Sequence, residues 1–156
     1  MLRIQAGNSN ENTKYLIDTS AFYPLIRRLR LGIVDIVEHL VVLDLTLYEI
    51  GNTIWKEYKR GLVENPKKTM EMFSLILESI EQVRIKPEWL NDILETALRH
   101  NLTFYDASYA YVSMRYNLVL VTEDNDLLGT VENSIRVREL LSKLGIEQQK
   151  PHNQAK

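Results

Sequence analysis

Five short apolar runs, spaced along the chain by stretches with helical periodicity, constrain its fold more than anything else in it. The runs are Tyr15-Leu16-Ile17, Val41 to Leu45, Val83 to Ile85, Leu118 to Val121 and Ser134 to Val137. Each is too short for a buried helix, and no Asn-Gly or Asp-Gly pair joins two of them as a hairpin. Between them the apolar residues recur at helical spacing. Helices are expected from Ala21 to about Arg30, with Pro24 in the first turn, and from Ile33 to Leu40 after a break at Gly32. Others are expected from Thr46 to about Arg60 with Gly61 as the stop, from Lys67 to Glu81 after Asn65-Pro66, and from Pro87 to His100. The last two run from Thr103 to Asn117 and from Glu139 to Leu144. Strands that alternate with helices without hairpins pair in parallel and are covered on both faces, which makes this an α/β chain. Residues 1–13 and 145–156 read as flexible tails around one domain at 14–144.

Four acids stand next to these apolar segments. They are Asp18 in YLIDTSAF, Glu49 in LTLYEIGN, Asp106 in LTFYDASYA and Asp124 in LVLVTEDNDLL. In a parallel sheet the ligand site lies beyond the carboxyl ends of the strands. Asp18 and Asp124 follow strands directly, and Glu49 and Asp106 fall in first turns of helices, so all four can meet at one edge of the sheet. Carboxylates gathered there repel one another, and divalent cations relieve the repulsion. An oxygen-only donor set suits hard ions such as Mg²⁺ or Mn²⁺, and such a cage is the usual device for cutting phosphodiesters. The chain has no cysteine, which excludes thiolate zinc sites and disulfides. Its three histidines lie away from the acidic motifs in sequence.

Each acid also has a plain structural reading. Asp18 can cap the helix after it. Thr46-Leu-Tyr-Glu49 has the spacing of a capping box, and Thr103-Phe-Tyr-Asp106 repeats it less typically. Asp124 and Asp126 can be polar residues of a TEDND loop. Capping does not explain why all four acids fall on one edge, nor why small residues follow the acid in Tyr105-Asp106-Ala107-Ser108.

A net charge of −2 looks poor for a nucleic-acid binder. The average hides basic clusters: Arg27, Arg28 and Arg30; Lys56, Lys59 and Arg60; and Lys67 with Lys68. Arg27, Arg28, Lys56, Lys59 and Arg60 lie on helices that begin at the acidic edge and are the candidate nucleic-acid contacts; a solvated helix face is the alternative for each. No apolar run reaches the ~20 residues of a membrane span. The polar start MLRIQAGNSNENTK lacks a secretory signal, so a cytoplasmic location is expected.

The four motifs, in this order, resemble those of PIN domains, and most closely of the VapC-type toxins of toxin–antitoxin pairs. The resemblance rests on IDTSA, YEIGN, TFYDASY followed by a strand, and LVTEDNDL, and covers about residues 14 to 140. It implies a three-layer α/β/α PIN-like fold with a short central parallel sheet, and a Mg²⁺- or Mn²⁺-dependent endoribonuclease. By motif position Asp18, Glu49, Asp106 and Asp124 would be the catalytic and metal-binding quartet. Asp126 would be an accessory acid, Thr122 the hydroxyl of the T-x-D motif, and Ser20 or Thr19 the polar residue after the first acid. The resemblance further implies a water nucleophile leaving a 5′-phosphate and a 3′-hydroxyl, a homodimer, and a cognate antitoxin protein. Met70, Met72, Phe73, Leu75, Ile76, Leu77 and Ile80 are more apolar surface than one buried stripe needs, as an interface on the helices of residues 46–81 would require. The alternative is a helix packed on both sides within its own domain. Two other functions fit the same fold: a PIN nuclease of RNA processing or decay without an antitoxin, and a catalytically idle PIN-fold binding module. The polar N-terminal tail is unlike many such toxins, which begin almost at the first strand.

Overall fold

The computed structural model of the chain describes residues 13–146, so the tails expected at 1–13 and 145–156 fall almost wholly outside it. The strands are β1 (Tyr15–Ile17), β2 (Leu40–Leu43), β3 (Glu81–Val83), β4 (Val119–Val121) and β5 (Ser134–Ile135). They form one parallel sheet in the order β3-β2-β1-β4-β5. The chain builds outward from β1 through β2 to β3, then returns to the other side of β1 with β4 and β5. Strand order therefore reverses between β1 and β4, the place where sheets of this kind open a crevice.

Alternation along the strands divides the core in two. Tyr15, Ile17, Leu40, Val42 and Val121 face α1 (Thr19–Leu29), α2 (Leu45–Lys59), α3 (Pro66–Glu78) and α7 (Val137–Lys143). Leu16, Val41, Leu43 and Leu120 face the other way, onto α4 (Leu90–His100), α5 (Phe104–Tyr116) and α6 (Asn125–Thr130). Both faces are covered, as the apolar runs require, and the architecture is the expected three-layer α/β/α.

Several local expectations are corrected. The helix expected over Ile33 to Leu40 is two 3₁₀ segments, Arg30–Asp35 and Val37–His39. The break before them comes at Arg30, whose φ is 50°, and not at Gly32. Because α1 starts at Thr19, Pro24 lies beyond the first turn, and it has no N–H to offer the carbonyl of Ser20. The strand expected at Val83 to Ile85 starts earlier, at Glu81, which ends α3 at Glu78. The last strand is shorter, and α7 starts at Val137. Part of the TEDND loop is helical: α6 begins at Asn125 under an Asp124 cap. The stops at Gly61 (φ 74°) and Asn117 (φ 50°) are as expected. On α3, Phe73 and Leu77 are buried, Met72 and Ile76 pack against the core edge, and Leu75 is exposed.

Candidate active site

At the carboxyl ends of β1 and β4 the site begins with a buried acid. Asp18 ends β1, is 4% exposed, and caps α1 by accepting from the Ala21 N–H. Thr122, directly after β4, donates to Asp18 Oδ2 at 2.6 Å. The Ser20 hydroxyl lies 2.8 and 3.0 Å from the two Asp18 oxygens and also accepts from the Glu123 N–H. Thr122 Oγ1 in turn accepts from the Asp124 N–H. Burial pushes the Asp18 carboxyl up to about 6, partly opposed by its hydrogen bonds from Thr122, Ser20 and Ala21; the nearby Glu49 charge adds to the rise.

Glu49 arrives from the first turns of α2, but the capping box does not form. Asp44 takes the cap position, accepting from the Leu45 N–H, and also from the Ile85 N–H across the end of the sheet. Thr46 is released from that duty and is fully buried, 2.8 Å from the Tyr109 hydroxyl. Tyr109 donates to Glu49 Oε2 at 2.7 Å, and Thr19 donates to the same oxygen at 2.8 Å. Glu49 Oε1 takes no hydrogen bond among the described residues. Tyr109 comes from α5, on the opposite face of the sheet from α2, so its phenol ties the two helical layers together over the strand ends. Burial first, and the Glu49 charge second, hold that phenol well above the usual tyrosine range.

Asp124 caps α6, its Oδ1 accepting from the N–H groups of Asp126 and Leu127. The loop before it is braced from α7's start: Arg136 reaches the Glu123 carboxylate at 3.1 Å and Asn125 at 2.7 Å, and Glu123 accepts from the Val137 N–H. Asp126 is exposed in the first turn of α6. Asp106 stands apart. Its capping reading is realised, with Thr103 accepting from the Asp106 N–H and donating to Asp106 Oδ2 at 2.6 Å. Asp18, Glu49 and Asp124 thus share one neighbourhood of neutral hydroxyls, while the Asp106 side chain is turned back on its own cap.

No ion pair among the described residues includes any of the four acids. No three acidic or histidine side chains are already gathered at metal-holding spacing among the described residues. The donors nevertheless suit a hard cation: oxygen only, one of them buried with its charge unopposed. Of the five basic candidates, Arg27 and Arg60 reach Glu57 at 3.8 and 3.9 Å, and Arg27 also lies over the Tyr23 ring. Arg28, Lys56 and Lys59 are exposed with no ion-pair partner among the described residues. Sequence reasoning missed Tyr109 and Arg136 as site residues. Tyr109 stands three residues after Asp106 in α5, a spacing that puts both on one side of the helix.

Comparison with known proteins agrees with this geometry. The PIN domain profile matches residues 15–132. A relative from Pyrobaculum aerophilum named exonuclease VapC9 is 39% identical over 134 residues, covering 86% of this chain and 98% of its own. Ribonuclease VapC3 of the same organism is 32% identical over 92 residues, covering 58% of this chain and 70% of its own. The crystal structure of PAE2754 from Pyrobaculum aerophilum superposes with a TM-score of 0.77 at 38% identity, over 87% of this chain and 99% of that one. A toxin–antitoxin complex from Klebsiella pneumoniae shares the fold, with a TM-score of 0.57 at 13% identity over 78% of this chain and 96% of that one. With its motif order, strand order and acidic edge all in place, the chain belongs to the PIN-domain family, alongside the proteins named VapC.

Proposed function

We propose that this chain is a Mg²⁺- or Mn²⁺-dependent endoribonuclease and the toxin of a toxin–antitoxin pair, acting in the cytoplasm. The observation that carries the reading is that Asp18, Glu49 and Asp124 border one network of hydroxyl groups where strand order reverses, with no ion-pair partner among the described residues. The names of the VapC relatives, one a ribonuclease and one an exonuclease, support the same chemistry. Asp18, Asp124 and Asp106 would hold the metal, Asp106 by turning away from Thr103. When bound there, a divalent ion supplies a Lewis acid for the phosphate and lowers the pKa of water. Thr122 and Ser20 keep the Asp18 carboxylate oriented. Tyr109 and Thr19 fix one oxygen of Glu49, which leaves the other free to orient the attacking water. Water adds to phosphorus, the bond to the 3′ oxygen breaks, and that oxygen takes up a proton, leaving a 5′-phosphate and a 3′-hydroxyl. Asp126 is an accessory acid at the rim, and Arg27, Arg28, Lys56, Lys59 and Arg60 would meet the RNA backbone.

The deciding experiment is cleavage of a circular RNA with Mg²⁺ or Mn²⁺ and with EDTA. An endonuclease linearises the circle only when metal is present. Cutting that persists in EDTA removes the metal mechanism. Metal-dependent degradation of linear RNA with an intact circle supports the end-directed reading that the exonuclease name of one relative favours.

For partners, a groove of about 1350 Å³ runs between α1, the 3₁₀ segment after it and α3. Ile26, Ile33, Val34, Leu62, Met72 and Ile76 line it. It suits an apolar segment of an antitoxin, and the exposed side of α3 a second subunit. No helix among the described residues is long and apolar enough to cross a membrane.

A further inference from the structure

A separate cleft of about 380 Å³ leaves the acidic site along the seam between α1 and α2. Thr19, Ser20, Tyr23 and Pro24 form one wall, and Glu49, Asn52, Thr53 and Lys56 the other. On α2, Glu49, Asn52 and Lys56 follow one another at one-turn spacing, so the wall is a polar ridge about 10 Å long that starts at the site. Its volume is in the range of pockets that enclose a small ligand.

Most polar groups in this cleft are already engaged. Thr19 bonds Glu49, Ser20 bonds Asp18, and Thr53 donates to the Glu49 carbonyl at 2.8 Å. The exceptions are specific, and the Tyr23 hydroxyl is one, buried with no hydrogen-bond partner among the described residues. Asn52 is exposed and its amide takes part in no hydrogen bond among the described residues. Lys56 is exposed with no acidic partner there, although Arg27 and Arg60 nearby both reach Glu57. Pro24 leaves the Ser20 carbonyl without its helical donor. Together with Glu49 Oε1, the cleft offers an amide, an ammonium and acceptors in a row that begins at the reacting edge.

From this row we infer that the α1–α2 cleft is the subsite for the nucleotide adjoining the scissile phosphate of single-stranded RNA. Lys56 takes the next phosphate along the strand. Asn52 hydrogen-bonds the base edge, for which an amide's paired donor and acceptor are suited. The Ser20 carbonyl is the acceptor for a ribose 2′-hydroxyl, the group that separates RNA from DNA. The inference rests on the nuclease reading and adds to it the direction in which the strand leaves the site.

The test uses the full chain and a short fluorescent oligoribonucleotide. Binding is followed by anisotropy in EDTA, and cleavage is followed with Mn²⁺. A second set of oligonucleotides carries one 2′-deoxy or one abasic position on either side of the cut. Lys56→Gln should weaken binding and raise KM about tenfold, leave kcat within about twofold, and lower the log–log salt slope by about one. Lys67→Gln, at an exposed lysine on α3 outside the cleft, should change these by less than about threefold. Asn52→Ala should erase the penalty of an abasic position on one side of the cut and leave the penalty on the other. Equal effects of Lys56→Gln and Lys67→Gln mean a diffuse charge effect and overturn the subsite, as does an Asn52→Ala protein that still feels both abasic positions. A wild type that binds RNA but never cuts it defeats the nuclease reading, and the anisotropy arms with Lys56, Lys67 and Asn52 then decide the subsite alone.

Discussion

Replacing Asp18 by asparagine should make the metal-free protein more stable. Burial lifts this carboxyl from the ordinary 3.8 to about 6, so at pH 7.5 the fold holds a charge where it favours a neutral acid. That gap corresponds to about 3 kcal/mol. Asparagine keeps the shape and one acceptor for the Ala21 N–H. It pairs less well with the Thr122 and Ser20 hydroxyls, which costs about 1 kcal/mol. A net gain of about 2 kcal/mol should raise the melting temperature in EDTA by about 6 °C for a chain of this size. The pH dependence follows from the same shift. The native state binds the Asp18 proton more tightly than the unfolded chain, so this contribution is fully present below pH ~4 and is lost as pH rises through about 6. The wild type in EDTA should therefore lose stability across that window, and Asp18→Asn should lose less. Saturating Mn²⁺ should raise the wild-type melting temperature at pH 7.5 and barely move the variant. Calorimetric melts at pH 4.5, 6 and 7.5 provide the comparison. A variant that melts below the wild type in EDTA at pH 7.5, or that keeps the wild-type pH slope, refutes the reasoning.

Tyr109→Phe should cost about 1–2 kcal/mol by urea unfolding, because Thr46 and Glu49 each lose a partner, and it should slow cleavage in Mn²⁺ by more than tenfold; a full-rate variant would show that Glu49 needs no such tether. Asp124→Asn should keep the α6 cap and lose cleavage, whereas Asp124→Ala should lose cleavage and about 1 kcal/mol of stability besides, so melting curves and RNA gels on the pair separate the cap from the charge. Asp106→Asn should weaken Mn²⁺ binding in calorimetry; binding equal to wild type would leave Asp106 as a cap residue only. Leu75→Asp should convert a sedimenting dimer of about twice the 18.2 kDa chain to monomer without altering the melt, and a monomeric wild type at micromolar concentration would remove the dimer.

What was legible in the sequence was whatever depends on near neighbours. Apolar runs bounded by polar residues mark the strands, and the stops at Gly61 and Asn117 follow from their left-handed backbone. The alternation of strand and helix was enough for a covered parallel sheet. Capping was the weak point, because the same residue types serve competing partners. Thr46 and Glu49 have capping-box spacing, yet Asp44 is the cap, and Thr46 turns inward to a tyrosine 63 positions away. Nothing within a helical turn of Thr46 signals that partner. The TEDND segment misled for a related reason: Asp124 is polar enough for a loop and is also a strong N-cap, and the short α6 behind it has few apolar residues to show periodicity. Arg136 was invisible as a brace because its partners, Glu123 and Asn125, are set only once β4 and β5 pair.

The hydrogen bond from Thr122 to Asp18 spans 104 positions. Closing so long a loop in an unstructured chain costs about 4 kcal/mol in entropy by the logarithmic rule, beyond a constant. Strands β1 to β3 and helices α1 to α3 can pair and pack without β4, since the first three strands are neighbours in the order they are made. Such a half-built chain would carry Asp18 and Glu49 with neither Thr122 nor Asp124 beside them. The hydroxyl of Tyr109 would be missing too, as α5 lies beyond that unit. The assembled site therefore needs the last strands of the fold. A chain cut short before Thr122 has Asp18, Glu49 and Asp106 but neither Asp124 nor the Thr122 hydroxyl, so on the nuclease reading the capacity to cut RNA requires almost the whole described fold.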